Sequence, residues 1–323
     1  MEIGALLKRG FTVWWRYKVL WGLGILLALV GRGGYGVTIN FGVSDPSQPP
    51  DEAVSRILLA FIPEDLTPEA ATGWVLSLGL GLLVGWLVML FVGSIVEGAA
   101  IVQTDLLDQR GQFDLSNSFA AGVSRMVPLA LMDLLLALPG LVVGIGILVA
   151  FGALVASVLT MANDGPSASM LAGAVVTIAG LIICLSIPIL LWGLFLAVFR
   201  PLAARACVLE GQGPVASIKR GWQVLRRNVG QAVVVWLVTF GIGLVYSLPV
   251  GAIGGVLLFA TGANPVTSFG AWVIITVLFN VIFAIILGGV LASLNVALWT
   301  VGYRQWTMAA PAMQQVYAPV RGM

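Results

Sequence analysis

From Met126 to Thr160 the chain runs thirty-five residues with a single charge, Asp133. A helix of that length would reach about 52 Å, against a hydrocarbon core of about 30 Å. Comparable apolar segments cover about 16–31, 72–102, 169–199, 230–262 and 269–300. Where no water is available only a closed backbone is tolerated. Six such segments therefore predict an all-α polytopic membrane protein with six kinked or tilted transmembrane helices. They pair as three hairpins and are flanked by interfacial amphipathic helices. Composition agrees, with 59% hydrophobic and 9% charged residues in 323, where soluble domains carry roughly a quarter charged. Pro139-Gly140, Pro188 and Pro249 offer kinks inside spans three, four and five.

The charges are unevenly placed. Of 16 Lys and Arg residues, all but Arg32 and Arg56 lie at the N-terminus, in 103–125, in 200–228 or in the tail. The polar loop 32–69 instead holds six acids. By the positive-inside rule, both termini and 200–228 are cytoplasmic and 32–69 faces outward, in the inner membrane of the cell. Lys8, Arg9, Arg16 and Lys18 ahead of Val19–Val30 read as an uncleaved signal anchor.

The longest hydrophilic piece on the basic side is Arg200–Asn228. Its second half reads as an amphipathic helix opened by Gly213-Pro214, with Val215, Ile218, Trp222 and Leu225 as the apolar stripe. Lys219, Arg220, Arg226 and Arg227 are its candidate contacts with anionic lipid headgroups. Residues 2–15 form a similar interfacial helix with Ile3, Leu7, Gly10, Phe11 and Trp14 at helical spacing. A third starts near Asp114, and a short helix with Val54, Ile57, Leu58 and Phe61 lies in the outer loop.

These pieces suggest parallel repeats over 1–102, 103–199 and 200–300, within a single membrane domain 1–323 whose cytoplasmic tail is 301–323. Lys8-Arg9-Gly10-Phe11, Ala120-Ala121-Gly122-Val123 and Lys219-Arg220-Gly221-Trp222 mark the same place before each odd-numbered span. Small residues at four-residue spacing (Gly81 and Gly85, Gly140 and Gly144, Gly251 and Gly255) are read as helix-packing positions.

The stretches EGAAIVQTDLLDQRGQFDLSNSFAAG and RPLAARACVLEGQGPVASIKRGWQVLRRNVG each leave an even-numbered span and feed the next hairpin. In this layout the chain resembles uncharacterised bacterial six-helix integral membrane proteins. Among them is the membrane domain fused to some glycerophosphodiester phosphodiesterases. The resemblance implies a membrane-embedded module. The phosphodiesterase chemistry belongs to a separate soluble domain that has no counterpart in these residues.

Histidine is absent, which removes His-based acid–base catalysis and His-ligated metals or haem. Cys184 and Cys207 have no CxxC partner, and no HExxH or GxSxG motif occurs. Gly31-Arg32-Gly33-Gly34-Tyr35-Gly36 matches a dinucleotide fingerprint literally but lacks its strand–turn–helix setting, and reads as a flexible exit from span one. No cofactor, metal or nucleic-acid partner is expected. The candidate intramembrane polar residues are Asp133, Glu97, Asn280 and Asn295. Asp133 is expected to face the bundle and pair with Arg16, Arg200 or Arg226, with Glu97 sharing the partner. The expected function is a non-enzymatic accessory, scaffold or lipid-associated module with lipid and membrane-protein partners. The alternative is a small-molecule or lipid transporter.

Overall fold

The computed structural model describes residues 3–32, 68–164, 168–261 and 265–307. These form eight α-helices: α1 Ile3–Arg16, α2 Val19–Leu29, α3 Pro68–Arg110, α4 Leu115–Asp164, α5 Ala168–Leu209, α6 Pro214–Arg227, α7 Val229–Thr261 and α8 Pro265–Thr307. Five stretches, within α3, α4, α5, α7 and α8, are long and apolar enough to cross a membrane. At 1.5 Å per residue α3, α4, α5 and α8 reach about 63–75 Å, roughly twice a bilayer's hydrocarbon thickness. Membrane helices of that length extend beyond the bilayer, and their burial pattern shows two zones.

In the first zone, here called the base, helices pack densely around α8. The core takes Ile101 and Val102 of α3, Leu129 and Met132 of α4, Leu202–Leu209 of α5 and Leu298, Trp299 and Tyr303 of α8. In the second zone the same helices expose Leu80–Met89 positions of α3, Leu138–Ile145 positions of α4, Ile187–Leu194 positions of α5 and Ile282–Leu287 positions of α8. An exposed apolar band around a helical bundle is the surface that lipid covers. Two-thirds of the apolar window of α8 is buried, 67% against 17–44% for the other four, so α8 is the central post.

Several sequence expectations are refined. The first apolar segment forms an 11-residue helix, about 16 Å long, shorter than the bilayer core. It is separated from α1 by a break at Tyr17-Lys18. The interfacial helix expected near Asp114 and span three are one continuous helix. Asp114 accepts the Asn117 amide hydrogen at 2.9 Å and caps its start, and Pro128 and Pro139 are carried inside it. The outer-loop helix around Val54–Phe61 lies outside the described residues.

The amphipathic helix α6 does begin at Pro214, but its buried residues are Ser217, Gly221, Val224 and Leu225. Val215 and Trp222 of the expected stripe are exposed, although Trp222 still sets its ring edge-on to Phe199. Close approach explains the rotation. A Cβ on Gly221 would lie 2.9 Å from the Ala203 Cα, so α6 turns its smallest residues toward α5.

The same rule selects the other packing glycines. A Cβ on Gly24 would lie 2.0 Å from the Gly289 carbonyl oxygen, and one on Gly122 would lie 2.4 Å from that of Ile95. One on Gly10 would press on Leu298. By contrast, Gly81, Gly85, Gly140 and Gly144 have nothing within 4 Å of a Cβ among the described residues.

Gly144→Ala should be neutral or gain up to about 1 kcal/mol from helix propensity. Gly122→Ala carries the same gain yet must part α3 from α4, at a cost of about 1–3 kcal/mol for overpacking. Thermal unfolding in detergent should therefore rank Gly122→Ala below wild type and Gly144→Ala at or above it. Equal melting temperatures would refute the close crossing.

Candidate functional site

Four charged side chains meet where the packed base ends and the apolar band begins. Glu97 comes from α3, Asp133 from α4 and Arg200 from α5. Arg32 comes from the residues just after α2. The backbone there is set by Gly31, whose φ of +73° is open to glycine at little cost. Gly31 N–H bonds the Ala28 carbonyl at 3.1 Å and Arg32 N–H the Leu27 carbonyl at 2.9 Å. This paired closure is a Schellman motif. It turns the chain back over the helix end and delivers Arg32 to α3. Gly93 leaves room for it, since a Cβ there would lie 2.5 Å from the Arg32 Nε.

Arg32 Nη1 lies 2.7 Å from Glu97 Oε2 and 2.6 Å from Asp133 Oδ2. Its Nη2 donates to the Leu90 carbonyl and to Ser94 Oγ, both at 3.0 Å. Arg200 closes the square, with Nη2 2.6 Å from Glu97 Oε2 and Nε 2.8 Å from Asp133 Oδ1. Each carboxylate is thus shared by two guanidinium groups, and the two charges of each sign balance. Side-chain exposure is 7–10% for Arg32, Glu97 and Asp133 and 29% for Arg200, which forms the rim.

Of the three arginines expected to partner Asp133, the structure brings Arg200 to it, and Glu97 shares that partner. Arg32, assigned by the sequence to an outward loop, instead enters the bundle. The signal for it was the glycine directly after a continuous apolar run, which is the mark of a helix stop.

A fifth charge, Arg205, is 3% exposed and makes no ion pair among the described residues. It donates from Nη1 to the Pro201 carbonyl at 2.8 Å and from Nη2 to the Val296 carbonyl at 3.2 Å. Among the described residues its Nε has no hydrogen-bond partner, and neither has Asn295 Oδ1. Both residues line a cavity of about 50 Å³ together with Arg32, Glu97, Arg200 and Trp299. The side chain of Asn280 lies outside the described residues.

Nearer the end of the base, further pairs stitch the helices. Arg9 of α1 meets Asp108 of α3 at 2.7 Å. Arg304 of α8 clamps Asp105 of α3 through two hydrogen bonds. Glu210 receives the Tyr303 hydroxyl and the Arg220 Nε, the latter at 3.0 Å. Burial pulls the Arg220 guanidinium down, but the Glu210 hydrogen bond and charge win and hold it above its ordinary range. On α6, Arg220 is therefore occupied within the protein, whereas Lys219, Arg226 and Arg227 are exposed. Among the described residues no three metal-ligating side chains gather, and both cysteines are free thiols.

An all-helical chain with five membrane-length apolar stretches and a charge cluster sealed among its helices is a polytopic membrane protein. It belongs to a family of unknown function, DUF7544, whose model matches residues 9–320. No curated protein and no solved structure shows significant similarity to it. The family match brings no tie to the membrane domain of the glycerophosphodiester phosphodiesterases.

Breaking a buried pair strands the remaining charge, at roughly 3–5 kcal/mol. Asp133→Asn, which leaves Arg32 and Arg200 with Glu97 alone, should lower the melting temperature in detergent sharply. Adding Arg32→Gln removes the surplus charge and should recover part of the loss. A double variant no better than the sum of its singles would show that the two residues are not coupled.

Proposed function

We propose that the protein is a non-enzymatic accessory or scaffold module of the inner membrane that is closely associated with lipid. The observation that carries this reading is the state of its acids. Each buried carboxylate among the described residues (Glu97, Asp105, Asp108, Asp133, Glu210) is held by an arginine. General acid–base catalysis and proton-coupled transport both need a group that takes up and releases a proton near neutral pH, and in a chain without histidine carboxylates are the leading candidates. Carboxylates locked between guanidinium groups are poor candidates for that work and good ones for fixing helix register.

The proposed topology is six crossings with both termini cytoplasmic, supported by the positive-inside distribution. The pairs Arg9–Asp108 and Arg304–Asp105 fit it, since they put α1 and the end of α8 at one end of the bundle. The exposed face of α6 (Lys219, Arg226 and Arg227) would then rest on anionic headgroups, at about 1 kcal/mol per charge near the surface. A transporter is the second reading, favoured by the polar cavity beside the ion network.

Purification of the full chain in mild detergent tests the main proposal. A stoichiometric membrane-protein partner supports the scaffold, whereas a co-purifying small solute supports the transporter. Reversing Lys219, Arg226 and Arg227 to Glu should reduce retained anionic lipid severalfold without unfolding the protein. Unchanged lipid with the fold intact would leave those charges a topological role only.

Orientation is checked with single cysteines at Ser47 and Lys219 in a background carrying Cys184→Ala and Cys207→Ala. Position 219 is chosen because Ser217 is buried. An impermeant thiol reagent on intact cells should label Ser47→Cys and spare Lys219→Cys. The reverse pattern inverts the topology.

A further inference from the structure

We propose that the cavity beside the ion network binds one small oxyanion group, a phosphate or a carboxylate. Arg205 would be its principal ligand, with Arg200, Arg32 and Asn295 around it. Charge gives the first reason. Among the described residues the network balances two arginines against two acids, and Arg205 adds a third guanidinium that makes no ion pair. The Glu97 carboxylate lines the same cavity but is already shared by Arg32 and Arg200. A buried charge left uncompensated is strongly unfavourable. Carbonyl oxygens from Pro201 and Val296 satisfy two of its donors but supply no counter-charge.

Geometry gives the second reason. Arg205 and Asn295 both line the cavity, and each holds a buried polar atom without a partner among the described residues, Nε and Oδ1. The Asn295 amide presents either its oxygen or its NH2 group by rotating about one bond. It can therefore accept from a protonated oxyanion or donate to a charged one. Water would satisfy the two atoms but would not balance the third guanidinium. Arginine's planar fork of N–H donors suits phosphate and carboxylate oxygens in particular.

Size and access give the third. A volume of about 50 Å³ corresponds to a few water-sized positions. That suits a single oxyanion group. The most exposed member of the network is Arg200, at the lower edge of the apolar band, so a lipid phosphate and a free anion share the same approach. This proposal does not depend on the scaffold reading, because partner co-purification decides that separately.

The test uses the full-length protein, exchanged into detergent with zwitterionic lipid. Inorganic phosphate is titrated at constant ionic strength while thermal unfolding is followed. In parallel, native mass spectrometry counts phosphatidylglycerol retained per chain. A saturable rise in melting temperature with phosphate identifies a free anion. One tightly retained phosphatidylglycerol without a phosphate response identifies a lipid headgroup.

In either case Arg205→Gln and Asn295→Leu should each weaken apparent affinity at least tenfold. Arg205→Gln should leave the unliganded melting temperature unchanged or higher, because it removes a buried charge, whereas a purely structural arginine would lower it. If Arg205→Gln does not fold, Asn295→Leu decides, since it fills the cavity with the charges unchanged. No saturable phosphate response together with no retained lipid overturns the proposal, as does undiminished binding in the folded variants.

Discussion

The square of Arg32, Glu97, Asp133 and Arg200 is the constraint on which the rest of the bundle depends. Charges taken out of water are tolerated only when opposite partners and hydrogen bonds meet them in good geometry. Here each acid has two arginines at 2.6–2.8 Å. The four residues come from four separate places in the chain, so sliding any one of α3, α4 or α5 by a turn would strand a charge. Apolar packing between membrane helices supplies little such discrimination, because lipid competes for the same surfaces. The ion square specifies register, while the packing around Leu202, Leu298 and Trp299 supplies bulk cohesion.

Its position also divides the molecule. On one side the helices share a buried core, and several of its acids are clamped, as Asp105 is by Arg304 and Glu210 by Tyr303 and Arg220. On the other side the same helices show leucine, valine and isoleucine outward. Helices about twice as long as the hydrocarbon core need such a division, since one half must satisfy lipid and the other a polar surround. The ion square stands at the join. There Arg200 reaches the rim while Glu97 and Asp133 stay covered.

Much of this was legible from residue order. The apolar runs gave the helices, Pro214 gave the start of α6, and the lone acid at 133 gave a pairing whose partner Arg200 was among those expected. What escaped was decided by tertiary contact. Arg32 sits in a polar, glycine-rich stretch whose composition reads as loop, and only the turn at Gly31 and the gap at Gly93 send it inward. On α6 the apolar stripe was legible, but the face set against α5 was not, because that face is chosen by closeness and not by hydrophobicity. A helix that must lie against the α5 backbone presents Ser217 and Gly221, and leaves Val215 outside. For the four-residue glycine spacings, Gly81, Gly85, Gly140 and Gly144 meet no neighbour among the described residues, because spacing alone does not say where a neighbour stands.

The close glycine contacts bear on why the charges are unequal. Gly122 rests on Ile95 and Ala99 of α3, Gly221 on Ala203 of α5, and Gly10 on Leu298 of α8. Within a turn of each supporting site stands a polar residue that lines the cavity: Glu97 between Ile95 and Ala99, Arg200 before Ala203 and Asn295 before Leu298. Three helices thus bring three side chains of different charge to comparable places, one acidic, one basic and one neutral. Asp133 and Arg32 complete the first two into a balanced square. The third position offers an amide, so among the described residues Arg205 has no ion-pair partner. An internal polar cluster built only for register would be expected to close its own charge balance, because an unpaired buried guanidinium works against stability. The amide at position 295 leaves one positive charge uncompensated beside a cavity of group size, and a bound oxyanion would supply the missing charge.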